Sequence, residues 1–80
     1  MVNINEAVEV ADNIERIQAF LIDQSIYLST SQQIMVGLAL CRPELLAKAR
    51  YPASDIKQAW ARLDEAQRDA IATWWKSQGK

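Results

Sequence analysis

Residues 30–43 read TSQQIMVGLALCRP, and no charged side chain occurs anywhere between Asp23 and Arg42. The uninterrupted apolar run, Ile34 to Cys41, is far shorter than the roughly 20 residues a membrane span needs. A helix that is apolar nearly all round belongs in the middle of a domain or in an interface. The spacing predicts a helix over 31–41, with Thr30 as N-cap and Gln33 at N3. Gly37 inside it costs about 1 kcal/mol relative to alanine, which a close helix crossing would offset. Pro43 closes this helix, because the residue before a proline is driven out of the α region. The same proline suits the first turn of the next helix.

Working outward, residues 4–24 carry Ala7, Val10, Ile14, Ile17 and Leu21 at alternating spacings of three and four, the signature of an amphipathic helix. Asn3 and Glu6 make a capping-box-like pair, and Asp12 with Arg16 is a favourable i,i+4 pair. Phe20 and Ile22 lie off the main stripe, so burial on more than one side is expected at that end. Residues 25–31, SIYLSTS, form the connection. Downstream, three shorter helices are predicted over 43–50, 55–63 and 65–77. Glu44 and Lys48 pair in the first. Ser54 caps the second, which buries Ile56, Ala59, Trp60 and Leu63. Asp64 caps the third, with Gln67 at N3 and Arg68 in reach of Asp64. Its inner face is Ala70, Ile71 and Trp74. Two glycines and two prolines in 80 residues leave too little punctuation for an all-β fold. The expected fold is all-α: one domain, 1–80, built as a small irregular or orthogonal bundle of four to five helices.

Composition excludes whole classes of chemistry. The chain has no histidine, which removes the commonest general base and every Ser-His or Cys-His dyad. One cysteine, Cys41, makes no intramolecular disulfide and no structural zinc site. It closes an apolar helix with no base beside it, so a buried structural thiol is expected. The spacing Ser54-x-x-Lys57 matches a serine–lysine nucleophile pair, but the companion motifs are missing and an N-cap serine explains it better. Glu6, Glu9, Asp12 and Glu15 recur at helical spacing as a solvated face. No enzyme activity, metal or cofactor is expected. The N-terminus carries acids where a secretion signal carries Lys and Arg, and with a single cysteine this favours a cytoplasmic location.

The net charge of −1 hides a division. Residues 1–41 hold five acids against Arg16, a net of −4, and residues 42–80 hold eight Lys and Arg against five acids, a net of +3. Either two surfaces of opposite sign or two mutually attractive halves would result. In the basic half, Trp74 and Trp75 are adjacent, and adjacent helical residues point about 100° apart. Trp74 shares the side of Ile71. Trp75 falls on a flank, where large aromatics beside Lys and Arg are the usual composition of interface anchors. The function expected is a small protein-binding module acting through a helical surface: an adaptor, an inhibitor or an assembly subunit, with self-association expected as well. Trp75, Arg68, Lys76, Arg62 and Lys57 are the candidate contact residues. The alternative is a nucleic-acid-binding regulator using the basic half, where cations meet phosphates and aromatics stack on bases.

Overall fold

The computed structural model describes residues 4–78, with the side chains of Ile4, Asn5 and Ala53 outside that description; the Asn3 cap lies beyond it. The chain is an all-α bundle of five helices: α1 Ile4–Ile22, α2 Thr30–Ala39, α3 Pro43–Lys48, α4 Ile56–Arg62 and α5 Glu65–Gln78, with a 3₁₀ turn Ala53–Asp55 leading into α4. No strand occurs among the described residues. The radius of gyration is 12.1 Å, close to the roughly 12 Å of a compact chain of this length.

As its composition dictates, α2 is the centre. Ile34 through Ala39 are all buried, and around them gather Ile17 and Phe20 of α1, Leu45 and Leu46 of α3, Ala59 and Leu63 from the α4 end, and Ala70, Ile71 and Trp74 of α5. The broadest helix contact is between α1 and α5, and α2 packs next on α3 and α5. Gly37 makes the α2–α3 contact possible. A Cβ there would stand 3.1 Å from Leu46 Cδ2 and 3.2 Å from Leu45 Cβ.

α2 starts at Thr30, one residue earlier than predicted. Ser29, not Thr30, is the N-cap: Ser29 Oγ accepts from Gln32 N at 3.3 Å, and Gln32 Oε1 accepts from Ser29 N at 3.0 Å. Gln33 is thereby free for another task, and its Nε2 donates to Leu45 O of α3 at 3.1 Å. Asp64 and Gln67 form the expected box at α5. Asp64 Oδ1 accepts from Gln67 N at 2.8 Å, and Gln67 Oε1 accepts from Asp64 N at 3.0 Å. The buried Gln67 also donates to Ser31 Oγ at 3.2 Å, tying the start of α5 to the start of α2.

Ser54 does not cap α4. Pro52, at φ −62° and ψ 165°, opens the 3₁₀ turn, so Ser54 sits inside that turn and Asp55 takes the cap position without a side-chain hydrogen bond. Two expectations for α1 also fail. Leu21 is exposed and Ile22 is 88% exposed, because only Phe20 at that end turns inward.

Two helices end in left-handed residues that are not glycine, Cys41 at φ 54° and Arg50 at φ 67°. At each, the paired bonds of a Schellman motif close the helix. Arg42 N donates to Gly37 O and Cys41 N to Leu38 O; Tyr51 N donates to Leu46 O and Arg50 N to Ala47 O. This turn carries Cys41 out of the core, so the thiol expected to be buried is exposed.

Candidate functional site

Ile56, Ala59, Trp60 and Leu63 form one apolar stripe on α4, and the structure splits it. Ala59 and Leu63 are buried, while Ile56 is 50% and Trp60 36% exposed. The cause is a lack of cover. A helix of seven residues makes about two turns, its inner edge rests on α2, and on its outer edge Trp75 and Arg68 of α5 cover the Trp60 ring only in part. The expectation that Ile56 and Trp60 belong to the core is therefore corrected.

On α5, Trp74 is buried at 8% exposure, and Trp75 turns outward at 43%. The exposed ring is held firmly. Trp75 stacks on Trp60 with ring centroids 6.5 Å apart and planes 12° from parallel. Its Nε1–H donates to Ala39 O at 3.0 Å, so the indole satisfies one of the carbonyls that the last turn of α2 leaves without an intrahelical partner.

The result is a continuous apolar groove. Two adjoining hollows of about 340 and 350 Å³ share Leu38, Ile56 and Trp75. Cys41, Pro43 and Leu46 line one end, and Lys57 and Trp60 the other. Lys57 is the charged residue of the lining, and no acid contributes to it.

Of the five contact residues expected from sequence, Trp75 and Lys57 come together here. Arg68 is adjacent but engaged. Its Nε and Nη2 donate to Trp60 O and Ala61 O, both at 3.1 Å, and its guanidinium carbon lies 6.0 Å from the Trp60 ring centre. It therefore closes the C-terminus of α4, where a cation also complements the helix dipole, and does not reach back to Asp64. Arg62 and Lys76 are exposed in the last turns of α4 and α5 and do not line the groove. Sequence reasoning missed Leu38, Ile56, Trp60 and Pro43 as groove residues. The signal for Ile56 and Trp60 was the brevity of α4, since a two-turn helix packed on one side buries about half of a four-residue stripe.

Two other features lie away from this groove. A cleft of about 450 Å³ between the α1–α2 connection and α3 has Phe20, Ile26 and Leu28 in its walls and Arg42, Glu44 and Lys48 at its margin. Its cations share that margin with an acid, which dilutes any attraction for phosphate. Where α1 meets α5, carboxylate oxygens of Glu6, Glu65 and Asp69 lie within 4.8 Å of one another. Loss of water around Glu6, with the neighbouring charges of Glu65 and Asp69, pushes its carboxyl above the ordinary glutamate value. These are the acids available to a hard cation, and a side-chain hydrogen bond with Asp69 adds to the upward shift of Glu6. Here the acidic α1 meets two acids of α5.

Among the described residues no helix is long and apolar enough to cross a membrane. No protein-family model, curated protein or solved structure matches the chain.

Proposed function

We propose that this protein is a small, non-enzymatic binding module that recognises another protein through the groove between α2, α4 and α5, with Trp75 as its anchor. One observation carries the reading: a stacked, half-exposed tryptophan pair stands beside an exposed isoleucine in a groove almost without polar lining. Aromatic residues held rigid in an apolar depression are what binding hot spots are made of, and contiguous exposed apolar surface marks interaction sites. The absence of histidine supports the non-enzymatic part of the reading. A lone, exposed thiol is compatible with a reducing compartment such as the cytoplasm. Self-association through the same face is the lesser form of this proposal. Six-residue α3 is about 9 Å long, short for a recognition helix in a DNA groove, which weighs against the nucleic-acid alternative.

The test compares the full chain with its Ile56→Asp variant. Half-exposed Ile56 tolerates the charge, so the melting temperature should stay within a few degrees. Proteins captured from the native host by the wild type should be lost by the variant. Identical capture by both, or a mobility shift of DNA or RNA that weakens steeply with salt, rejects the reading.

A further inference from the structure

Resting on that reading, we infer that the natural occupant of the groove is an amphipathic α-helix of a partner protein, apolar on the seated face and acidic along the edge that meets Lys57. The secondary structure of the occupant follows from the chemistry of the groove wall. A strand or loop laid into it would bury peptide N–H and C=O groups, and each needs a partner. The wall supplies almost none. Trp75 Nε1–H is committed to Ala39 O, and the Cys41 thiol lies 3.8 Å from Leu38 O. The remaining lining consists chiefly of Leu38, Pro43, Leu46, Ile56 and Trp60. A helix satisfies its backbone internally and presents only side chains, so it fills such a wall without losing hydrogen bonds. Helix-in-groove recognition through i, i+3 or i+4, and i+7 anchors is the corresponding mode.

The sign of the occupant's charge follows from the lining. Lys57 stands at the Trp60 end, with no acid among the described residues of the wall, and the Arg68 guanidinium lies over the Trp60 ring, 6.0 Å from its centre. The acidic α1 of a second copy has Ile17 and Phe20 buried in its own core but keeps Val8, Leu21 and Ile22 exposed, so light scattering has to separate that occupant from a partner's helix.

The experiment is display selection against the full-length chain from two peptide libraries of about 15 residues, roughly four helical turns. One library fixes apolar residues at helical spacing, the other fixes the same composition at alternating spacing. Enriched peptides should come from the helical library and carry Asp or Glu on one flank. They should lose about 30-fold in affinity, the equivalent of a 2 kcal/mol anchor, against Ile56→Asp. Lys57→Glu should invert the flank preference to Lys or Arg. Enrichment of alternating peptides, or indifference to Lys57→Glu, overturns the helical acidic occupant. If those peptides still lose affinity with Ile56→Asp, the groove survives as a protein-binding site. No enrichment, or binding indifferent to Ile56→Asp, overturns both readings. A dimer in light scattering that Ile56→Asp dissolves gives the groove to a second copy and overturns the inference.

Discussion

At the scale of single residues, the adjacent tryptophans divide the molecule between stability and surface. Trp74 is 8% exposed within the core, and Trp74→Ala is expected to lower stability by ~3–5 kcal/mol, the usual cost of deleting a buried aromatic. Trp75 presents a more mixed case than its flank position suggests, because its N–H closes α2 through Ala39 O. Trp75→Ala should cost about 1–2 kcal/mol, a lost hydrogen bond and one ring stack, well below Trp74→Ala. Chemical denaturation of the two variants checks the order, and iodide should quench Trp75 more than Trp74. Equal losses and equal protection would place both rings in the core. Cys41 and Arg50 offer a second test. Both hold a left-handed backbone without being glycine, a conformation that costs an L-residue roughly 1–2 kcal/mol. Cys41→Gly and Arg50→Gly should each raise the urea midpoint, by about 1 kcal/mol of stability, with the m-value unchanged. Unaltered or lowered midpoints would show that the side chains contribute more than the strain.

At the scale of elements, the recurring device is the closing of a helix C-terminus by a side chain from elsewhere. Trp75 of α5 serves α2, Gln33 of α2 serves α3, and Arg68 of α5 serves α4. The short helices need this help, since six or seven residues leave more terminal carbonyls than internal bonds and fall well below the length at which a helix stands alone. Arg68→Ala removes two charge-assisted bonds and is expected to lower stability by about 1–2 kcal/mol. Arg62→Ala, with its exposed side chain on the same short helix, should change it by less than about 0.5 kcal/mol. A thermal melt of each settles the assignment, and equal effects would reduce Arg68 to a generic surface charge.

At the scale of the whole molecule, three acids, Glu6, Glu65 and Asp69, meet at the broadest helix contact, between α1 and α5. The Glu6 carboxyl is raised above its ordinary 4.5, by loss of water and by Glu65 and Asp69. A carboxyl raised on folding binds its proton more tightly in the native state. Its contribution to stability is therefore fully present below the unfolded value and is lost as pH rises through the raised folded value. Glu6→Gln, which keeps a hydrogen-bonding side chain and removes the charge, should raise the melting temperature at pH 7. The gain should vanish below pH 4.5, where Glu6 itself is protonated. Asp23 works in the opposite sense. The Ser25 hydroxyl and backbone N–H donate to its Oδ1 and hold its carboxyl below 3.8, so its contribution is present above that value and lost as pH falls through the folded one. A melting temperature of Glu6→Gln that tracks the wild type from pH 3 to pH 8 would rule out repulsion at the α1–α5 contact.

Sequence alone determined what depends on neighbours along the chain: the all-α class, the burial of Ile34 to Ala39, the start of α3 at Pro43, the Asp64–Gln67 box and the inward turn of Trp74; the end of α2 it placed two residues late, at Cys41 in place of Ala39. Each follows from periodicity, proline geometry or a hydrogen bond spanning three residues. Tertiary structure decided what depends on which element covers which. It split the α4 stripe so that Ile56 and Trp60 face outward, turned Cys41 to the surface through a left-handed cap, and drew Arg68 onto the end of α4. It also set Glu6 against Glu65 and Asp69. The pattern of a helix records which residues are fit to be buried. Whether they are buried depends on a covering surface, and along the outer edge of α4 the side chains of α5 cover Trp60 only in part.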